Sequence, residues 1–201
     1  MRLGVDSTGD PSGAATPGPA LSPGLQLSPG PVPRGNQCTS ELERLGARYE
    51  ALDELRGVET PVDVEGPIGG VRYTVGATAP LRADCRLVVA LHRLGPGLLA
   101  RGVTEVRYSG AYVYRTTHAG NRLSLHAHGL AIDVHGFVIR GERYTVKHDF
   151  ARNRQAADCR GLPPVNEIAC WWRQTGMFRE LLTPDSDADH HDHIHIALSA
   201  Q

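Results

Sequence analysis

Residues 124–133 read Ser-Leu-His-Ala-His-Gly-Leu-Ala-Ile-Asp, the pattern S-x-H-x-x-G-x-A-x-D. Residues 190–195 read His-His-Asp-His-Ile-His and contain four of the ten histidines in the chain. Imidazoles and carboxylates at this density are metal-ligand chemistry, and three of them around an open position make a catalytic zinc centre. The two stretches therefore predict halves of one divalent-metal site, zinc by preference, with a hydrolytic water. The remaining chain is then a scaffold that must bring distant segments to one point.

Side-chain alternation along strands sharpens the assignment. In a strand through residues 131–134, Ile132 and Val134 share one face and Asp133 takes the other. The apolar pair enters the core and the carboxylate faces a cleft. His126 lies seven residues before Asp133, an odd offset that would put the two on opposite faces of one continuous strand. Gly129 between them permits a turn that brings both to one point. In a terminal strand, His193 and His195 share a face while Ile194 and Ile196 share the other. The predicted ligands are His126, Asp133 and His195. His193 is placed beside the open position as general base for the attacking water, whose pKa zinc lowers to about 7. His190 is expected to support the site and Asp192 to orient an imidazole. Arg115, at the end of an expected strand, would bind a substrate carboxylate or an oxyanion.

The bulk properties bound the rest. A chain of 201 residues with net charge −1 suits one domain with an appendage. It carries no electrostatic signal for nucleic acid or an anionic membrane. No apolar run nears the ~18 residues of a membrane-spanning helix. Met1-Arg2-Leu3-Gly4 is not followed by an apolar segment, so no intact signal peptide is visible. Residues 1–36 are rich in Pro, Gly and Ser and are expected to be a flexible linker, leaving 37–201 as the folded domain. Four cysteines with no C-x-x-C pair argue for disulfides and an oxidising compartment over a cysteine-based zinc site. Of three possible pairings the expected one is Cys159 with Cys170 and Cys38 with Cys85; the alternative is four buried thiols.

Periodicity predicts helices at 40–53, at 82–101 with a kink or break at Pro96-Gly97, and at 166–182 with a possible break at Gly176. Short β-branched runs at 58–77 read as a small hairpin or edge strands. Residues 103–115 read as a strand with a bulge or bend at Gly110, and 131–140 with 142–148 as a hairpin turning at Gly141. The last strand is expected at 193–198. The mixture predicts an α+β fold, an antiparallel sheet with helices packed on one side. Trp171 and Trp172 are expected in the core, His92, His118 and His148 without a role, and His128 and His135 as bystanders or alternative ligands.

From Ser109 onward the chain resembles the bacterial extensin-like C-terminal domain family. The resemblance is carried by Ser109-Gly110-Ala111-Tyr112 with Arg115, by Leu123-Ser124-Leu125-His126-Ala127-x-Gly129-x-Ala131-Ile132-Asp133-Val134, by Gly136-Phe137 and Ala169-Cys170, and by His190-x-Asp192-His193-Ile194-His195. The family usually has Cys where Tyr114 stands and another Cys near residue 58, both absent here. The family is similar to D-Ala-D-Ala metallopeptidases, lysostaphin-type endopeptidases and hedgehog domains. That likeness implies a hedgehog-like fold, zinc held by His, Asp and His on an antiparallel sheet, and peptidoglycan peptides as substrate. The expectation is thus a secreted or periplasmic, monomeric zinc metallopeptidase acting on peptidoglycan or another peptide. The alternatives are a non-catalytic zinc-binding module that recognises cell wall or a partner, and a protein whose zinc only staples the fold.

Overall fold

The structure is a computed structural model, and it describes residues 30–76, 79–117, 120–154 and 156–200. The elements in chain order are α1 (Gly35–Arg44), β1 (Tyr49–Ala51), β2 (Pro61–Val64), β3 (Arg72–Thr74), β4 (Leu81–Asp84), α2 (Cys85–Ala100) and β5 (Val103–Gly110). A 3₁₀ turn (Leu125–His128) follows, then β6 (Ala131–Ile139), β7 (Glu142–Thr145), α3 (Val146–Asp149), α4 (Pro164–Thr175), β8 (Glu180–Leu182) and β9 (Ile194–Ala197). The α+β class is as expected.

The strands form two sheets. A small one runs β1-β2-β4, antiparallel throughout. The larger one runs β3-β5-β6-β9-β8, with β7 also paired to β6. It is mixed, because β3 lies parallel to β5 while its other pairs are antiparallel. The long strand β6 organises it. One edge pairs with β5; the other pairs with β9 through Ala131–Val134 and with β7 through Gly136–Ile139.

Helix α2 starts because Asp84 caps it, its carboxylate accepting the Arg86 amide. Nearly all of its first two turns is buried, and the helix packs on β2, β4 and β5. It runs without a break through Pro96, so the expected division into two pieces does not occur. Proline removes one backbone hydrogen bond, but Gly95 sits directly on Gly69 and Gly97 against the Trp171 ring, so tertiary packing keeps the last turn helical. Trp172 is buried beside Phe137 and Phe178, and Trp171 lies under the Arg101 guanidinium.

Other boundaries differ from the sequence reading. The first helix spans Gly35–Arg44 and not 40–53, since Tyr49–Ala51 pairs with β2 as a strand. The apolar runs at 62–64 and 71–75 do not form a hairpin together; β2 is the centre of the small sheet and β3 an edge of the large one. The strand expected at 103–115 ends at Gly110. The helix expected to reach Leu182 stops at a left-handed Gly176, and Glu180–Leu182 pairs with β9. The hairpin about Gly141 forms as expected, although β7 ends at Thr145. Both expected disulfides, Cys38–Cys85 and Cys159–Cys170, are present. The linker expected at 1–36 lies, for residues 1–29, outside the described residues, and α1 begins at Gly35.

Candidate metal centre

Three segments converge on one point. The 3₁₀ turn after Ser124 carries His126; Ser124 caps it, its hydroxyl accepting the His126 amide at 3.3 Å. Gly129 closes the turn in a left-handed conformation at φ 63° and leads straight into β6, where Asp133 sits between the fully buried Ile132 and Val134. Asp133 pairs in register with His195 of β9, and Ile194 and Ile196 fill the core on the opposite face. His126 thus approaches from a helical turn and not from a strand, which removes the problem of its odd offset.

The ligand-type atoms are close. His126 Nε2 lies 3.2 Å from Asp133 Oδ1 and 3.3 Å from His195 Nδ1, and His195 Nδ1 lies 2.8 Å from the same Asp133 oxygen. His126 is 2 % exposed and His195 8 %. These three form the one group among the described residues with the spacing to hold a metal ion.

The outer nitrogens of the two rings differ in what they meet. His126 Nδ1 faces the Ala111 carbonyl at 3.2 Å, an acceptor, so this nitrogen bears the hydrogen and, in the neutral ring, Nε2 is the atom free to ligate. His195 Nε2 lies 3.7 Å from the Glu180 carboxylate, beyond hydrogen-bond reach, so the close polar contacts of this ring are those of Nδ1 inside the cluster. Two imidazole nitrogens and a carboxylate oxygen thus meet at one point. Such a cluster is repulsive unless a proton or a cation sits in it. Tetrahedral zinc with bonds of about 2.0–2.1 Å separates its ligand atoms by about 3.3–3.4 Å, close to two of the three distances. The donor set and spacing therefore fit a divalent ion. Burial alone would raise the Asp133 carboxyl, but hydrogen bonds and charge from His126 and His195 outweigh it and hold the group well below the usual carboxylate range. It stays ionised, as a ligand must be.

The other predicted residues gather around this centre. His193 lies just before β9 with Nε2 3.7 Å from Asp133 Oδ1. Its Nδ1 is 2.9 Å from Asp192 Oδ1, so Asp192 does orient an imidazole. Burial lowers the His193 pKa and Asp192 only partly opposes it, which favours a neutral ring. The His190 ring sits 5.0 Å from that of His193 and 5.8 Å from that of His195, tied by Nδ1 to Asp187 Oδ1 at 2.6 Å. Arg115 is not at a strand end. It lies beyond β5, where its carbonyl accepts the Ser124 amide at 3.1 Å, beside the turn that carries His126. Its guanidinium makes no hydrogen bond or ion pair among the described residues.

His128 is not in the group of ligand atoms; its Nδ1 lies 2.8 Å from the Gly57 carbonyl. His92 is partly buried on α2, and His118 lies outside the described residues. Sequence reasoning missed the Ala111 carbonyl, Glu180 and Asp187. The spacing Asp187-x-x-His190 is a readable i,i+3 cue. Glu180 became visible only through the pairing of β8 with β9.

A family model, Extensin-like protein C-terminus, matches residues 36–201. The chain belongs to this family. The match takes in all elements from α1, less its first residue, to β9, and all three candidate ligands of the extensin-like domain. No curated protein and no solved structure matches the chain. Among the described residues of the domain, no helix is long and apolar enough to cross a membrane.

Proposed function

We propose that this extensin-like domain is a zinc-dependent hydrolase that cleaves peptide bonds in cell-wall peptidoglycan, in an exported, oxidising compartment. The observation that carries the reading is the convergence of His126 Nε2, Asp133 Oδ1 and His195 Nδ1 with a fourth side chain, His193, aimed at the same carboxylate. A bound zinc ion would supply Lewis acidity, lowering the pKa of a water and polarising a peptide carbonyl. The chain's own residues supply the remaining chemistry. The neutral His193 ring accepts the proton of the attacking water at Nε2. Asp192 fixes the tautomer by accepting the Nδ1 hydrogen and steadies the imidazolium that forms. His193 then returns that proton to the leaving amine. The Arg115 guanidinium meets the substrate carboxylate or the developing oxyanion. Two disulfides and the resemblance to peptidases of the cell wall support the compartment and the substrate.

The test is digestion of purified muropeptides by zinc-loaded protein, native and His193→Ala, followed by detection of new amines. The expected result is release by the native chain and a loss of about 100-fold or more in the variant, with zinc bound by both. Failure of the native chain to release amines while zinc is bound would replace catalysis with a zinc-binding recognition module.

A further inference from the structure

The ladder between β5 and β6 is irregular on both sides of the Tyr108–Val134 pair. On β6, Val134 and Gly136 stand opposite the adjacent residues Tyr108 and Arg107, which leaves His135 as an extra residue. On β5, Tyr108 and Gly110 stand opposite the adjacent residues Val134 and Asp133, which leaves Ser109 as an extra residue. Two bulges thus lie back to back on facing strands. Each interrupts pairing and re-aims a side chain. The two freed side chains meet: His135 Nε2 and Ser109 Oγ form a hydrogen bond at 2.9 Å. The His135 ring, so held, lies against His193, with centroids 5.2 Å apart and planes inclined by 37°. His193 is the residue whose orientation matters most in the proposed reaction. It precedes β9 and therefore lacks the sheet register that fixes His195. What fixes it is Asp192 at Nδ1, the His190 ring, and this bulged pair.

We propose that His135 is a positioning residue for His193, with Ser109 holding His135 across the paired bulges. The bulges exist at the cost of ladder hydrogen bonds, and their return is a His193 ring kept with Nε2 toward Asp133. The proposal rests on His193 as the base for its catalytic consequence, but not for its structural one. His135 touches none of the three candidate ligand atoms, so its loss leaves the metal group complete.

The experiment follows the imidazole resonances of His193 by nuclear magnetic resonance in the full chain, zinc-free and zinc-loaded, for the native protein, His135→Ala, His135→Phe and Ser109→Ala. His193→Ala assigns the signals. In His135→Ala the His193 ring signals should shift and broaden while those of His126 and His195 stay. Zinc affinity should change by less than about twofold, and muropeptide turnover should fall about tenfold in kcat with KM unchanged. His135→Phe keeps the ring but not the bond to Ser109, and should fall between. Ser109→Ala removes only an exposed hydroxyl, keeps the fold, and should move His193 in the same direction by less. Unmoved His193 signals in both His135→Ala and Ser109→Ala would overturn the proposal. So would a loss of zinc affinity as large as the loss of turnover, because His135 would then be supporting the ligands. If the native chain releases no amines yet the His193 signals respond as described, the positioning role stands and the hydrolase reading falls.

Discussion

Gly129 is the hinge on which the site is built, and Gly129→Ala should damage it far more than a glycine change of similar backbone cost elsewhere. Its φ of 63° lies in the left-handed region, where a side chain costs about 1–2 kcal/mol. An added Cβ would also stand 2.5 Å from the Asp84 amide nitrogen and 3.0 Å from the Ala83 carbonyl carbon. Both are backbone atoms of the β4–α2 junction and cannot swing aside, so overpacking adds about 2 kcal/mol. The Asp84 amide donates to the Gly129 carbonyl at 3.0 Å, and losing that bond adds about 1 kcal/mol. Reduced freedom of the unfolded chain returns somewhat under 1 kcal/mol. The sum is about 3–4 kcal/mol. Gly141 is the control. Its φ is 85°, and an added Cβ would meet nothing within 4 Å, so Gly141→Ala should cost about 1 kcal/mol. In zinc-free protein with disulfides intact, and a slope near 2 kcal/mol per molar urea, the midpoints should fall by roughly 1.5–2 M and about 0.5 M. Zinc titration should show a loss of about tenfold or more for Gly129→Ala only, since the turn sets His126 against Asp133. Equal destabilisation of the two variants, or unchanged zinc affinity in Gly129→Ala, would refute the role given to this turn.

The disulfides should differ in worth. Loop closure over 47 residues for Cys38–Cys85 and 11 for Cys159–Cys170 corresponds to about 4 and about 3 kcal/mol, so Cys85→Ser with Cys38→Ser should lower the urea midpoint more than the other double variant. Glu41 gives a pH test away from the site. Hydrogen bonds from Arg44, and then Arg93, outweigh burial and lower its pKa from 4.5 to about 2. A depressed carboxylate stabilises fully above its unfolded value and ceases to do so as pH falls through its folded one. The gap in thermal midpoint between native protein and Glu41→Gln should therefore be constant above about pH 5, shrink below 4.5, and vanish near 2. A gap that persists at pH 2 would mean that Glu41 acts by packing and not by charge.

The candidate ligands were legible because local chemistry marks them. Asp133 stands between two core residues on a strand, and His195 between two isoleucines, and period-two alternation exposes both. His126 was legible as a residue type, and Gly129 marked the turn that brings it to Asp133, but the 3₁₀ form of that turn was not, since it has no periodic signature in four residues. What escaped was set by contacts between distant segments. Leu181 and Leu182 continue the helical apolar stripe of α4, and only Gly176 and the open edge of β9 turn them into a strand. Tyr49 also fits a helical stripe, yet pairing with Val64 makes it β. Pro96 carries a local signal to break that the packing of α2 on the sheets overrides. The bulges that free Ser109 and His135 are a mismatch between two strands, and a mismatch belongs to neither strand's sequence.

The N-terminal part of the domain supplies no candidate ligand, yet it bears directly on the centre. Asp84 is fully buried and spends its amide and both carboxylate oxygens on one junction. Its amide donates to the Gly129 carbonyl, one carboxylate oxygen accepts the Arg86 amide and Nε, and the other accepts the amides of Glu59 and Thr60. A buried ion pair of this kind adds little net stability, because desolvation offsets its attraction. What it adds is definition of geometry: it pins three segments to the turn between His126 and Asp133. The same loop reaches the turn again through the Gly57 carbonyl, which holds His128, and through the Arg56 carbonyl, which accepts the Tyr112 hydroxyl at 3.0 Å. The Cys38–Cys85 disulfide anchors α1 to the residue after Asp84. The end of β4 and the loop before β2 thus hold the turn that carries His126, and α1 is tied to that junction through Cys85.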